Sequence, residues 1–234
     1  MHWDRVWTLR NWERLLVGDL FNTGEPGGLL VTLAIGLGAI LGSTLIGTAI
    51  GIARSSDRRV LWVPAMLYIQ AFRNVPLLIL VFWAFFFPPT LGFELSRIAS
   101  MLLALTLFTS AYIAEIVRGG IRSVPAGHIE AARALGMGRL QIQLWVVIPQ
   151  AMFNMLPALA GRYVVSVKNT SLGFLIGLPD LTEIGKQIGA RLMTAPIEVY
   201  LTLLLIYFVV NRGVSAAARL LEKRARFNKL FLRI

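Results

Sequence analysis

The side chains in this sequence that are able to do chemistry are cations set inside apolar runs. Arg73 lies about 13 residues into the apolar stretch that starts at Val60, with Pro76 three positions later. At 1.5 Å per residue that is roughly 20 Å along a helix. A charge at such a depth in a bilayer costs at least about 2.5 kcal/mol, so Arg73 has to face protein or a water-filled cavity. Its guanidinium is shaped to hold a carboxylate through two parallel hydrogen bonds. Pro76 has no N–H to give the carbonyl of Phe72, and broken helices near the bilayer midplane commonly build solute sites. Arg73, with Asn74 beside it, therefore either binds a carboxylate of a solute or satisfies the carbonyls freed around Pro76. Lys168, Asn169, Thr170 and Ser171 set a cation beside amide and hydroxyl donors. They either line a cavity for an anionic solute or close a helix end with a capping hydroxyl. Arg162 is a third candidate within an apolar stretch. Glu115 and Arg118 are three apart on one helical face, as a structural ion pair or a gating one. No carboxylate at midplane depth stands out to meet an ammonium group.

The same inventory excludes other chemistry. There is no Cys, so no disulfide scaffold, and His2 and His128 are the only histidines, which leaves no zinc site of the usual kind. No H-E-x-x-H and no carboxylate pair at catalytic spacing equips a membrane enzyme. Of the 234 residues 56% are apolar and 15% charged, and the mean hydropathy is +0.69. A soluble domain carries about 25% charged residues. The net charge of +11 fits cytoplasmic loops of a membrane protein better than nucleic acid, for which so apolar a chain has no reading surface.

The elements that must position these residues are membrane helices. Met1 to Gly18 reads as an interfacial segment, with Trp3, Trp7 and Trp12 at headgroup level; it has no cleavable signal peptide pattern. Gly28 to Ala53 is the first span. Its Gly38/Gly42 and Gly47/Gly51 pairs either let another helix approach closely or reflect the abundance of Gly in membrane helices. After the charged loop Arg54 to Arg59, a second span runs from Val60 to about Pro88, interrupted at Arg73 and Pro76 and ended by Pro88-Pro89. Arg97 to Val117 is the third span and Leu144 to Val167 the fourth. Lys168 to Ala195 is too polar for a span and too apolar for a solvated loop, the composition of a re-entrant or broken helix buried in protein. Pro196 to about Ala218 is the fifth. The expected fold is an all-α membrane protein of five transmembrane helices, with a short cytoplasmic helix between spans three and four. Its segments are 1–27, interfacial; 28–218, membrane domain; and 219–234, a basic amphipathic tail. Fourteen Lys and Arg lie in loops 54–59 and 118–143 and in the tail from Arg212, against seven on the other side. This places the tail in the cytoplasm and the N-terminus outside.

The loop before the fourth span, Gly119 to Gln143, reads GGIRSVPAGHIEAARALGMGRLQIQ. Pro125-Ala-Gly is a turn, Ile129 to Leu135 has good helix formers, and Gly136 is placed to stop that helix. Glu130-Ala131-Ala132, three residues, Gly136, nine residues, then Val146-Val147-Ile148-Pro149 resembles the EAA loop of bacterial ABC importer permeases, whose pattern is EAA-x3-G-x9-I-x-L-P. Val146 replaces Ile and Ile148 replaces Leu. Phe72-Arg73-Asn74-Val75-Pro76-Leu77, the block from Ser110 to Ile121, and Val167-Lys168-Asn169-Thr170-Ser171-Leu172 look like stretches of the polar amino acid permeases. The FRNVP and VKNTS versions look most like the glutamate/aspartate branch.

The resemblance implies a permease that is not itself an enzyme. It would work with two cytoplasmic ATP-binding subunits, a second copy of itself or a different permease chain, and an extracytoplasmic amino-acid-binding protein. ATP and Mg would sit on the ATPase, with no cofactor in this chain. In agreement, the sequence has no Walker A loop: its one Gly-Lys, at Gly185-Lys186, is followed by Gln187, and Asp180 stands where the first Gly belongs. Glu130, Ala131, Ala132 and Gly136 are then expected to couple to the ATPase, although for the two alanines helix propensity is a sufficient reason. The substrate is expected to be glutamate or aspartate, with glutamine, asparagine or a basic amino acid as alternatives. A gradient-driven transporter or channel is the alternative of a different class. The tail, with Arg219, Lys223, Arg224, Arg226, Lys229 and Arg233, either binds anionic lipid or serves only as a topology signal.

Overall fold

Apolar runs with few breakers become long helices. A computed structural model of the chain describes residues 2–193 and 195–231, with side chains described as far as Leu220. Two short helices, α1 (Trp3–Val6) and α2 (Leu9–Val17), precede an antiparallel hairpin of β1 (Gly18–Asp19) and β2 (Glu25–Pro26). Then come α3 (Gly28–Arg54), α4 (Arg59–Arg73), α5 (Leu77–Thr90), α6 (Arg97–Arg122), α7 (Ala126–Ala134) and α8 (Arg139–Ile142). A π-helical turn at Gln143–Val147 leads into α9 (Ile148–Asn169), a 3-10 stretch at Thr170–Ile176, α10 (Leu181–Leu192) and α11 (Pro196–Phe231). Among the described residues four runs are long and apolar enough to cross a membrane: Gly28–Arg54, Arg97–Arg122, Arg139–Ile176 and Pro196–Leu220. The pair α4 and α5 makes a fifth when counted as one broken span.

The break in that pair falls at Asn74–Pro76, as the missing N–H of Pro76 requires. The Asn74 N–H closes α4 on the Gln70 carbonyl at 3.2 Å, and the Pro76 carbonyl opens α5 by accepting from Ile79 and Leu80. Pro88 and Pro89 fall in the last turn of α5, which stops one residue later at Thr90, their carbonyls accepting from the Leu91 N–H. Several boundaries differ from the sequence reading. The third span continues past Val117 to Arg122, and α7 starts at Ala126, directly after Pro125. Helix α11 runs from the fifth span through Arg219 to Phe231 without a break. The side chains of Lys223, Arg224, Arg226 and Lys229, and all of Arg233, lie outside the described residues. The 168–195 segment is indeed broken, by the 3-10 stretch and a left-handed Gly177, and α10, with 12 residues, is too short to cross a bilayer.

By packing the chain divides into two units. The first comprises Met1–Leu41, Val75–Phe108 and Val164–Gly213. Its core joins Val6 and Leu15 to Leu181, Ile184 and Ile188, one stripe of α10 at helical spacing, and to Val199 and Leu203 of α11. Asn11 ties the N-terminal segment down: its Nδ2 donates to the carbonyls of Arg5 and Val6 at 3.0 Å, and its Oδ1 accepts from Arg191 at 2.6 Å. Gly28 has φ +60°, and a Cβ there would run into the carbonyls of Arg14 and Leu15. Its N–H donates to Pro179, and Thr32 Oγ accepts from the Leu181 N–H at 3.0 Å.

Asp180, fully buried, caps α10 by accepting from the Glu183 N–H at 2.9 Å, while its Oδ2 has no hydrogen-bond partner among the described residues. Burial pushes its carboxyl from 3.8 up to about 7. The folded state therefore holds this proton more tightly than the unfolded chain. The stabilisation is complete below about pH 3.8 and is lost as pH rises toward 7. Asp180→Asn keeps a capping oxygen without the charge. It is expected to flatten this slope and to raise stability at pH 8 by up to a few kcal/mol. Thermal unfolding of the purified protein at pH 5 and pH 8 checks this; an unchanged slope rejects it.

The second unit comprises Gly42–Asn74, Thr109–Tyr163 and Val214–Ile234. A Cβ on Gly47 would lie 2.7 Å from the Ile113 Cβ and the Ser110 carbonyl, and one on Gly51 2.7 Å from the Val117 Cβ and the Ala114 carbonyl. The Gly47/Gly51 pair is thus a true close approach of α3 to α6. Gly51→Leu is expected to cost about 1–3 kcal/mol, read as a lower unfolding midpoint; an unchanged midpoint would show that α6 yields there. Val124, Ala132, Ile142, Val147 and Ala151 form this unit's core. Ile142 and Val147 are five apart, which a regular helix would turn to different faces. The π turn, closed by the Ile148 N–H on the Gln143 carbonyl, brings them together and carries the chain into Pro149.

Candidate functional site

Two groups of residues in the second unit have the geometry of function. The first is the α7 segment. Its last turn closes as a Schellman motif: the Gly136 N–H donates to Arg133 at 2.9 Å and the Met137 N–H to Ala132 at 3.1 Å. Gly136 sits at φ +79° with nothing within 4 Å of a Cβ built on it. Backbone conformation, and not space, demands glycine there. Glu130 and Ala131 are exposed, whereas Ala132 is buried in the unit's own core. The sequence reading expected both alanines in the coupling segment; Ala131 faces out, and Ala132 turns inward and seats the helix. Two side-chain bridges tie the segment to α9: His128 Nδ1 with Gln150 Oε1 at 2.7 Å, and Asn154 Nδ2 donating to Ser123 Oγ at 2.8 Å. The result is a short helix bridged to α9 at its N-terminal side and closed by the Schellman turn at its other end, with Glu130, Ala131, Leu135 and Leu140 presented outward.

The second group surrounds Arg73 at the end of α4. Glu115 accepts twice from Arg118, at 3.0 and 2.7 Å, and its other neighbour is Arg73 at 3.7 Å. The Arg73 guanidinium lies 5.2 Å from the centre of the Tyr112 ring, and that of Arg162 lies 3.8 Å from it. Arg73 and Arg118 thus meet the Glu115 carboxylate, and Arg73 and Arg162 the Tyr112 ring, on α4, α6 and α9. The sequence reading found no carboxylate at midplane depth to meet an ammonium group and did not place Glu115 beside Arg73, as the structure does. It also missed Tyr112, one helical turn before Glu115. The only signal available was the spacing of Tyr112, Glu115 and Arg118 at three residues. Asn74, adjacent to Arg73, donates its side-chain N–H to Gln70 at 3.1 Å.

The remaining candidates belong to the first unit, at the end of α9. Lys168 is exposed. Thr170, fully buried, donates its hydroxyl to the Val167 carbonyl at 2.7 Å, and Ser171 donates to Lys168 at 2.8 Å. Both hydroxyls thus bond the backbone of the preceding turn. Asn169 forms the junction with the 3-10 stretch and makes no side-chain cap.

The family described as "binding-protein-dependent transport system inner membrane component" matches residues 43–227. The chain belongs to that family. The permease is 36% identical over 199 residues to a probable glutamine ABC transporter permease protein, GlnP, of Bacillus subtilis (strain 168), covering 84% of this chain and 91% of the relative. It is 33% identical over 206 residues to the glutamate/aspartate import permease protein GltK of Escherichia coli O6:H1, covering 84% and 91%. Among solved structures it is similar to an amino acid ABC transporter crystallised with histidines, at a TM-score of 0.79 and 33% identity over 84% of this chain and 92% of that one. It is an integral, multi-pass inner-membrane subunit of an amino-acid ABC importer and not an enzyme. Hydrolysis belongs to a separate ATPase chain, and a binding protein is the family's other partner.

Proposed function

We propose that this permease carries an acidic amino acid, glutamate or aspartate, and that the α7 segment receives the ATPase stroke. The observation that carries the substrate is the excess of guanidinium over carboxylate around Tyr112. Glutamate brings two carboxylates and one ammonium. The side chain of Arg73 is 41% exposed and only 3.7 Å from Glu115, so a substrate carboxylate is free to replace that long contact with a bidentate one. Glu115 is then within reach of the ammonium, and Asn74 stands beside the entering group. Lys168 and Asn169, with Thr170 and Ser171 bonded to the backbone beside them, are candidate substrate contacts of the first unit taken by itself. Glu130, Ala131 and Gly136 present the coupling surface, with Ala132 seating it. The working assembly is two permease chains, two ATP-binding subunits holding ATP and Mg, and one extracytoplasmic binding protein. The cation-rich loops and C-terminus are cytoplasmic and the N-terminus is outside.

Glutamine is the second reading, favoured by the relative named for glutamine. Uptake into proteoliposomes containing this permease, its ATPase and its binding protein separates them. ATP-dependent accumulation of labelled glutamate, competed by aspartate and weakened by Arg73→Gln, is the expected result. Accumulation of glutamine alone rejects the acidic substrate, and uptake without any ATPase rejects the ABC mechanism for this chain.

A further inference from the structure

The charged turn between α3 and α4 and the groove beneath it carry groups that neither site above uses, although Arg54 also lies close enough to act on Glu115 electrostatically. Within the second unit, the turn carries Arg54, Arg58 and Arg59 against the single acid Asp57. Arg58 and Arg59 are exposed. Arg54 is half-buried, its guanidinium 4.7 Å from the centre of the Trp62 ring, and its Nη1 is buried without a hydrogen-bond partner among the described residues. Directly below, a groove of about 400 Å³ opens between the two helices, lined by Ala49, Ala53, Val60, Leu61, Pro64 and Tyr68 among others. The small side chains of Ala49 and Ala53, one turn apart, form its floor on α3. Between Val60 and Tyr68 it follows α4 for roughly 12 Å, most of the about 15 Å depth of one leaflet's hydrocarbon.

A trough that is apolar along its length and cationic at one end is complementary to an amphiphile with an anionic head. We infer that one anionic phospholipid binds here, its phosphate on Arg54, Arg58 and Arg59 and one acyl chain in the groove. Arg54, half-buried against Trp62, adds its positive charge to that of the exposed Arg58 and Arg59 at the end of the groove. Trp62 holds the cation at the level where an indole prefers to sit. The inference rests on the orientation proposed above, which puts this turn at the cytoplasmic leaflet, where anionic lipids are found.

The test uses the intact permease–ATPase complex, with phosphatidylglycerol or phosphatidylcholine added in mild detergent and retained lipid counted by native mass spectrometry. Wild type is expected to retain one phosphatidylglycerol per permease chain and not phosphatidylcholine. Arg58→Gln/Arg59→Gln should weaken retention about 30-fold. Ala49→Phe, at an exposed position of the groove, fills it and leaves every cation in place, and should weaken retention as well. Equal retention of both lipids, or full retention by Ala49→Phe, overturns the site. If Ala49→Phe keeps the lipid but loosens the association of permease chains, the groove is a subunit contact and the inference fails. Labelling of Ser56→Cys from the outer side of sealed cells would overturn the orientation instead, so the two failures are distinct.

Discussion

Gly136→Val is expected to leave the transporter assembled and to cut ATP-driven uptake about tenfold or more. The cause is conformational. At φ +79° with open space around it, a valine meets no neighbour but is forced into a region closed to β-branched residues. The strain is about 1–3 kcal/mol, and about 1.4 kcal/mol is a factor of ten in the population of the correct turn. Relaxing the backbone breaks the two bonds that close α7, from Gly136 to Arg133 and from Met137 to Ala132. The outward set of Glu130, Ala131 and Leu135 then loses its fixed angle to α9. Gly136→Asn, which tolerates the left-handed region, should keep most of the activity. The pair is measured by uptake alongside co-purification of the ATPase. A valine variant that transports normally would remove the Schellman turn from the coupling mechanism.

Glu115→Gln is expected to destabilise the fold strongly, and more than Arg73→Gln does. Among the described residues Glu115 is the carboxylate that faces both Arg118 and Arg73, and it holds Arg118 by two short bonds. Removing one partner of a buried pair leaves an uncompensated charge, worth about 3–5 kcal/mol in full burial. With 23% of each side chain exposed, about 2 kcal/mol is a fair expectation, or a fall of roughly 5 °C in Tm for a chain of this size. The double variant Glu115→Gln/Arg118→Gln should recover part of that loss. Arg73→Gln breaks only a 3.7 Å contact of a half-exposed side chain, so it should lower uptake and leave the unfolding midpoint nearly unchanged. If Arg73→Gln instead unfolds the protein while Glu115→Gln does not, Arg73 is a structural cation and the substrate assignment fails.

The parts of the fold legible in the sequence are those set by local pattern. Uncharged runs such as Gly28 to Ala53 declare a span, Pro76 declares a break, and Gly136 after a run of helix formers declares a stop. The hairpin at Gly18–Pro26 was not legible, because two-residue strands carry no alternation to read. Nor was the gathering of Arg73, Tyr112, Glu115 and Arg162, since no periodicity within one helix announces a neighbour on another. Whether a GxxxG pair is a contact was equally a tertiary matter. Gly47 and Gly51 meet backbone and Cβ atoms of α6, whereas a Cβ on Gly38 would meet only the tip of Leu102, at 3.1 Å. Ala131 and Ala132 look identical in the sequence, yet one faces out and the other in, because α7 is seated on the core containing Val147 and Ala151.

The widened turn at Gln143–Val147 has a consequence for chain length. It holds more backbone than a regular helix would use to cover the same rise, which makes it a reservoir of one residue. Deleting Leu144 should let the turn tighten into ordinary helix, with Ile142 and Val147 then four apart and still on one face. Deleting a residue in the even helix after Pro157 has no such slack to draw on and must misalign everything downstream. A relative one residue shorter is therefore expected to have its gap between Gln143 and Val147, and to keep the proline that follows.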